Sequence, residues 1–388
     1  MIYLDNAATS FPKPQEVYRE MDLFFRERGA NPGRAGYRMS LEAERELEGT
    51  RKLLASIFGA KNPNRIIFTL NATDALNMAI KGLLRQGDHV VTSTLEHNSV
   101  TRPLENLQKR GTITSSRVRA SQEGFIDPED IKKAINPKTR LVVITHASNV
   151  LGTVQPLKDI GRLVREEDLI FMVDAAQSAG VWPISVEEEC IDLLAFTGHK
   201  GLFGPPGTGG LYVGDRVELA PWREGGTGVN SQSPSQPEAL PFRLEGGTPN
   251  FVGIVGLKSG VEFLLAKGID SIRSHGHRLL SNILRVLEGD NRFILYGPKD
   301  TGKRLSIVSL NIKDSSPSLV GSLLDESFDI AVRSGLHCAP FTHKELGTFP
   351  EGTVRISPGY FNTEDDVAQA VCALKEIASS IKTAGPQV

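Results

Sequence analysis

The stretch FTGHKGLFGPPGTGG, residues 196–210, begins its glycine-rich part like a phosphate-cradling loop. A nucleotide-binding loop of that kind needs a lysine after its last glycine to reach the outer phosphates, then Ser or Thr for magnesium. Gly210 and Leu211 stand in those places. Both chemically active side chains are therefore missing, and nucleotide hydrolysis ranks last among the readings. The upstream pair His199-Lys200 offers different chemistry. Lysine is rarely buried without a reason, and a desolvated lysine becomes a usable nucleophile because its pKa falls. The bland alternative is a surface lysine on a loop.

Other candidates follow other apolar runs. Asp174 ends LIFMVD. A carboxylate there is expected to be partly buried and to need a partner, either a backbone cap or a protonated ring nitrogen. After RIIFTL come Asn71, Ala72 and Thr73, where the free amides of a helix start and the Thr73 hydroxyl would form a phosphate cradle, or simply an ordinary cap. His97 follows DHVVTST, and a lone histidine is more often structural than catalytic. Asn149 opens a turn after RLVVITHAS, and Asn in a turn needs no functional explanation by itself. Each residue alone has a bland reading. Together they put a phosphate cradle, an aromatic base, an acid and a lysine around one crevice. That set matches the needs of pyridoxal phosphate: a Schiff-base lysine, a carboxylate for the pyridinium nitrogen and an anchor for the phosphate. The Gly-Pro run is then a tight turn returning the chain to the strand GLYVG.

The elements that must position these groups follow from the hydrophobic pattern. RIIFTL (65–70), DHVVTST (88–94), RLVVITHAS (140–148), LIFMVDAA (169–176) and DLLAFTG (192–198) read as buried strands separated by helical stretches. The alternation predicts an α/β fold with a mostly parallel, doubly wound sheet, whose ligands sit beyond the carboxyl ends of the strands. Residues 223–250 are rich in Gly, Pro and Ser and read as a long surface loop. A second α/β pattern follows: RLSIVSLNI as strand, SLVGSLLDES as helix, TVRIS as strand, and a closing helix with Thr363 as its N-cap. The expected organisation is a segment 1–22 packing on either domain, a large cofactor-binding domain 23–260, and a smaller C-terminal α+β domain 261–388.

Bulk composition narrows the function. With 44 Lys and Arg against 46 Asp and Glu, the formal charge is −2, which gives no support for a nucleic-acid or polyanion binder. Cys190, Cys338 and Cys372 are three widely spaced cysteines that fit neither a disulfide framework nor a zinc site, so no metal is expected and a reducing cytoplasm is the expected setting. There is no basic-then-apolar leader and no apolar stretch of membrane-spanning length, so no membrane association is expected.

Ten segments, in order and spacing, resemble one family along nearly the whole chain: YLDNAATSFPKP, NPGRAGYRMS, NATDALN, EHNS, SNVLGTVQP, VDAAQSAG, TGHKGLFGPPGTG, EGGTPN, RSGLHCAP and VRISPGYFNTEDDV. The sequence is similar to class V, fold type I pyridoxal-phosphate enzymes of the cysteine desulfurase and selenocysteine lyase group. The resemblance implies that Lys200 carries the cofactor. Asp174 would face the pyridinium nitrogen, His97 stack on the ring, and Gln177 bond the phenolic oxygen. Thr73, Thr197, His199 and the backbone at Ala72 would bind phosphate, with Thr248 of a second subunit in a homodimer completing that site. Asn149 and Arg355 would hold the substrate carboxylate, a task that suits arginine's planar fork.

Cys338 in RSGLHCAP is the residue that separates the desulfurase branch from its relatives. A reactive cysteine needs thiolate character and access; the alternative is a small buried hydrophobe. Cys190 and Cys372 read as structural, the latter on the apolar face of the last helix. The RxGxHCA pattern resembles the group II branch, in which L-cysteine becomes L-alanine and a persulfide on the cysteine passes to a sulfur-acceptor protein. EGGTGVNSQSPSQPEALPF and Pro358-Gly359 depart from that branch's usual pattern. Two alternatives stay open: a lyase or aminotransferase of the same class acting on L-selenocysteine or cysteine sulfinate, and a non-catalytic pyridoxal-phosphate-binding sulfur carrier.

Overall fold

The computed structural model describes residues 1–32 and 36–383. Residues 33–35 of the NPGRAGYRMS segment and the last residues of the expected C-terminal domain lie outside the described part. The chain opens with a two-residue strand, β1 (Ile2–Tyr3), and two helices, α1 (Gln15–Glu27) and α2 (Arg38–Ile57). It then alternates: β2 (Ile66–Thr69), α3 (Ala72–Leu83), β3 (His89–Ser93), α4 (Asn98–Lys109), β4 (Thr114–Val118), α5 (Pro128–Ala134), β5 (Thr139–Thr145), α6 (Leu157–Glu166), β6 (Ile170–Asp174), β7 (Leu193–Thr197) and β8 (Gly209–Val213). Among the described residues these strands form a seven-stranded sheet in the order β2-β8-β7-β6-β5-β3-β4. The β4-β3-β5-β6-β7 run is parallel, and β8 lies antiparallel between β7 and β2.

The strand runs are nearly all apolar because both sheet faces are covered. Period-two alternation sends Val91, Val142, Phe171 and Phe196 into one core and Val90, Leu141, Met172 and Ala195 into the other. Burying each Leu, Ile or Phe contributes roughly 1.5–3 kcal/mol. Their sum fixes the sheet and therefore the line along which its carboxyl ends stop.

After β8, residues 214–250 form a long connection with no helix or strand, pinned to one sheet face by Val217, Leu219 and Leu244. Two long helices follow, α7 (Phe251–Lys267) and α8 (Ile269–Leu287). A second sheet, in the order β12-β13-β10-β9, is built from β9 (Phe293–Tyr296), β10 (Val308–Ile312), β12 (Arg333–Gly335) and β13 (Thr353–Ile356). It packs with α9 (Pro317–Phe328) and α11 (Glu364–Thr383) around Leu310, Leu324, Val354 and Leu374. The strand read from residue 304 begins only at Val308, because Arg304 bridges to Thr153 and the Leu305 amide donates to Gly152 O instead. Thr363 caps α11: its Oγ1 accepts the Asp366 amide at 3.1 Å, and Asp366 Oδ2 accepts the Thr363 amide at 2.9 Å.

The N-terminal segment touches both cores. β1 pairs in parallel with β11 (Ile330–Ala331) and Leu4 enters the second core, while α1 packs on α7. One expectation needs correcting. Cys372 is exposed, because the buried stripe of α11 runs through Val367, Ala370, Val371, Leu374 and Ile377 and leaves position 372 outside it. Among the described residues no helix is long and apolar enough to cross a membrane.

Candidate active site

Lys200 sits in a turn that hangs from the end of β7. The Gly198 amide donates to Thr208 O and the Gly204 amide to Gly198 O, both at 2.8 Å. The Gly-Pro run thus folds straight back into β8, as the sequence reading expects. A Cβ at Gly198 would lie 2.1 Å from Thr208 Oγ1, so only glycine fits. The N-terminal segment backs this turn: Lys13 Nζ at 2.7 Å, the Ser10 amide at 3.1 Å and Thr9 Oγ1 at 3.0 Å all donate to His199 O. Burial pulls the Lys200 amine down to a pKa of about 8, opposed by Asp174 and aided by Arg355 and Arg333.

Asp174 ends β6 and is buried. Its Oδ1 accepts the Ala176 amide at 2.9 Å, and its carboxyl pKa is raised, chiefly by burial. The Ala176 amide and the charge of Lys200 act against that rise without cancelling it. Gln177, three residues on, donates from Nε2 to Ala7 O at 3.1 Å.

His97 caps α4. Its Nδ1 accepts the Ser99 amide at 3.0 Å and lies 2.8 Å from Ser99 Oγ, so in the neutral ring the hydrogen belongs on Nε2. Burial, then the charges of Lys200 and Arg333, lower its pKa to about 4. Ser99 Oγ also reaches Thr73 Oγ1 at 2.7 Å, linking the His97 ring to the start of α3. There Asn71 Oδ1 accepts the Asp74 amide, while the Ala72 and Thr73 amides precede the first intrahelical bond. β8 joins this end of α3 to Thr197, since Gly209 pairs with both Thr69 and Thr197 and packs against Asn71. Thr197 Oγ1 makes only a long 3.5 Å contact to Thr208 O. His199 Nδ1 is buried without a partner, and burial lowers that ring's pKa to about 4.

Asn149 and Arg355 meet from 206 positions apart in sequence. Arg355, 2% exposed on β13, donates to Asn149 O at 3.0 Å and to Asp5 Oδ1 at 2.6 Å, and its buried Nε has no partner. Asn149 Nδ2 donates to His337 O at 2.6 Å. Cys338 follows in the short connection from β12 to α10 (Pro340–Glu345) and is exposed. His337 and Cys338 both have positive φ, 47° and 59°, a left-handed pair that side chains with a Cβ resist. The Cys338 carbonyl accepts the Asn98 amide at 2.8 Å.

Two cavities border these groups. One of about 100 Å³ is lined by Lys200, Gln177, Ser10, Arg273, His277 and Tyr360, among others. The other, about 510 Å³, is lined by Thr73, His97, Ser99, Arg102 and Cys338, among others. Thr248 stands apart, exposed on the loop before α7. The sequence reading gave no role to Asp5, Lys13, Ser99 or Arg333, the last set opposite Arg355 by the β12–β13 register. Of these, Lys13 was the most visible from sequence, as a lysine between two prolines.

A model of the aminotransferase class-V family matches residues 2–370. The chain belongs to the class-V aminotransferase family. A relative from Methanothermobacter thermautotrophicus, named a probable cysteine desulfurase, is 38% identical over 383 residues, 97% of this chain and 94% of that one. The apo structure of a cysteine desulfurase from Thermococcus onnurineus superposes with a TM-score of 0.91 at 34% identity, covering 98% of this chain and 95% of that one. The cysteine desulfurase CsdA of Escherichia coli, in an S-sulfonic acid form, gives 0.88 at 28% identity, covering 98% and 95%.

Membership in the class-V family implies pyridoxal phosphate, and the residues present fit it. The unpartnered His199 Nδ1 and the open first turn of α3 suit a phosphate. The buried Asp174, its pKa raised by desolvation, suits a cationic ring nitrogen, and the desolvated Lys200 suits an aldehyde.

Proposed function

We propose that this class-V enzyme is a pyridoxal-phosphate-dependent cysteine desulfurase that converts L-cysteine to L-alanine and carries the sulfur as a persulfide on Cys338. The observation that carries the reading is the exposed Cys338 on a strained turn, bordering the same cavity as His97 and Thr73.

Lys200, Asp174, Gln177, His97, Thr73, Thr197, His199 and the Ala72 backbone would hold the cofactor. When bound, the cofactor supplies an electron sink for charge developing at the substrate α-carbon. Arg355, with its unpartnered Nε, and Asn149 hold the substrate carboxylate. Lys200 Nζ, with its pKa near 8, takes the α-proton and returns it. The Cys338 thiolate attacks the substrate sulfur: an S–S bond forms, the Cβ–S bond breaks, and its electron pair stays with the carbon skeleton, which is protonated to alanine. Neutral His97, with hydrogen on Nε2, orients its neighbours as a hydrogen-bond donor without adding a competing charge.

A homodimer is part of the proposal, with Thr248 of each chain reaching its partner's phosphate site. So are a cytoplasmic setting and a protein that accepts the sulfur from Cys338. The test is Cys338→Ala assayed with L-cysteine and L-selenocysteine. Alanine production from cysteine is expected to be lost, with selenium release retained. Undiminished cysteine desulfuration in the variant would overturn the persulfide role, and a wild-type preference for selenocysteine would favour the lyase reading.

A further inference from the structure

Glu96 immediately precedes His97 and is 1% exposed, yet the chemistry above gives it nothing to do. Its Oε1 accepts two hydrogen bonds, from Ser93 Oγ at 2.6 Å and from the Thr145 amide at 3.0 Å. Thr145 stands opposite Asp174 in the β5–β6 register. The carboxyl therefore ties the loop of residues 93–98 to the strand pair that carries Asp174. The same loop holds the cysteine-bearing segment from its other side, since Thr94 O accepts Thr342 Oγ1 at 3.1 Å and the Asn98 amide donates to Cys338 O at 2.8 Å. Three chemically distinct groups, Asp174, His97 and Cys338, are thus connected through one short loop.

We propose that Glu96 is a positioning residue: it clamps the loop of His97 to the Asp174 strand pair and, through that loop, sets where the Cys338 turn stands relative to the cofactor-binding groups. Burial and the nearby Asp174 carboxylate push its own carboxyl up to about 8, against the lowering bonds of Ser93 and Thr145 and the field of Arg117. Near neutral pH the clamp is accordingly a neutral acid working as an acceptor. Glutamine has the same shape and keeps the accepting oxygen, so it replaces the clamp, whereas alanine removes it.

The inference rests on the desulfurase reading for its turnover assay but not for its thiol assay. Wild type, Glu96→Ala, Glu96→Gln and Ser93→Ala holoenzymes are compared. The readouts are kcat and KM for L-cysteine, melting temperature, and the rate of iodoacetamide alkylation read at the Cys338 peptide by mass spectrometry, because Cys372 is also exposed. In Glu96→Ala, kcat is expected to fall on the order of 10- to 100-fold with KM little changed, as for a misplaced reacting group, and Cys338 alkylation is expected to change several-fold. Glu96→Gln restores both, and Ser93→Ala shifts both a smaller way in the Glu96→Ala direction. Wild-type kcat and alkylation in Glu96→Ala would overturn the clamp. So would a Glu96→Gln protein as impaired as Glu96→Ala at an unchanged melting temperature. If Glu96→Ala does not fold, an unaffected Ser93→Ala overturns it instead. Absence of alanine formation by the wild type would sink the desulfurase reading alone, leaving the alkylation comparison to decide on Glu96.

Discussion

Arg355 and Asp5 lie 350 positions apart in sequence, and the guanidinium donates to the carboxylate at 2.6 Å. Asp5 occupies one arm of the arginine fork, Asn149 O occupies another, and the buried Nε is left over. On the proposed reading, an incoming carboxylate would meet a guanidinium already fixed in direction. Arg355→Lys keeps the charge and loses the fork. KM for the amino-acid substrate is expected to rise about 10- to 100-fold with kcat within a few-fold of wild type, measured by steady-state alanine release.

The lowered Lys200 pKa gives a pH dependence with a definite sign. Below about 8 the amine holds its proton and cannot accept another; as pH rises through that value the free base appears. The rate of alanine formation is expected to climb about tenfold per pH unit on the acidic side and to level off above. His97 is neutral throughout that window because its pKa is held near 4. A pH–rate profile between weakly acidic and alkaline buffer checks the limb. Lys200→Ala should abolish it, with a loss of roughly 10³-fold or more expected for a lost covalent and proton-transfer group.

Cys338 is held at φ 59° next to His337 at 47°. A left-handed residue with a Cβ costs roughly 1–2 kcal/mol relative to a relaxed one. Cys338→Gly is therefore expected to be more stable than Cys338→Ala by about 1 kcal/mol while equally inactive with cysteine. Equilibrium denaturation of the two variants makes the comparison.

Gly198→Ala tests the turn that presents the lysine. The added methyl meets Thr208 Oγ1 at 2.1 Å and Leu257 Cδ1 at 3.1 Å, so overpacking should lower stability by about 1–3 kcal/mol. Cofactor affinity should fall with it, read by titrating the cofactor's visible absorption band.

The sheet was legible where strands are buried on both faces. β3, β5, β6 and β7 are short β-branched or aromatic runs, and the residues after them fall on one edge because parallel strands end together. Lys200, Asp174 and His97 were visible for that reason. β4 was not, since TSSRV is a partly exposed edge strand whose side chains carry no apolar period, and β1 and β11 are two residues long and exist only as a pair. Asp5, Lys13 and Glu96 escaped for another reason. Each acts through a partner 49 to 350 positions away, and a single sequence carries no mark of which distant groups will meet. Cys372 was placed on the apolar stripe of its helix when a turn of the helical wheel puts it just outside.

The union of Leu4 and Asp5 with the strand bearing Arg355 has a consequence for biosynthesis. Residues 2–5 are made well before the strand β11 that receives β1 and the guanidinium that meets Asp5. The nascent polypeptide must keep that segment unengaged while the central sheet forms. The pairing of residues 2–5 therefore waits until Ile330–Ala331 and Arg355 have been made.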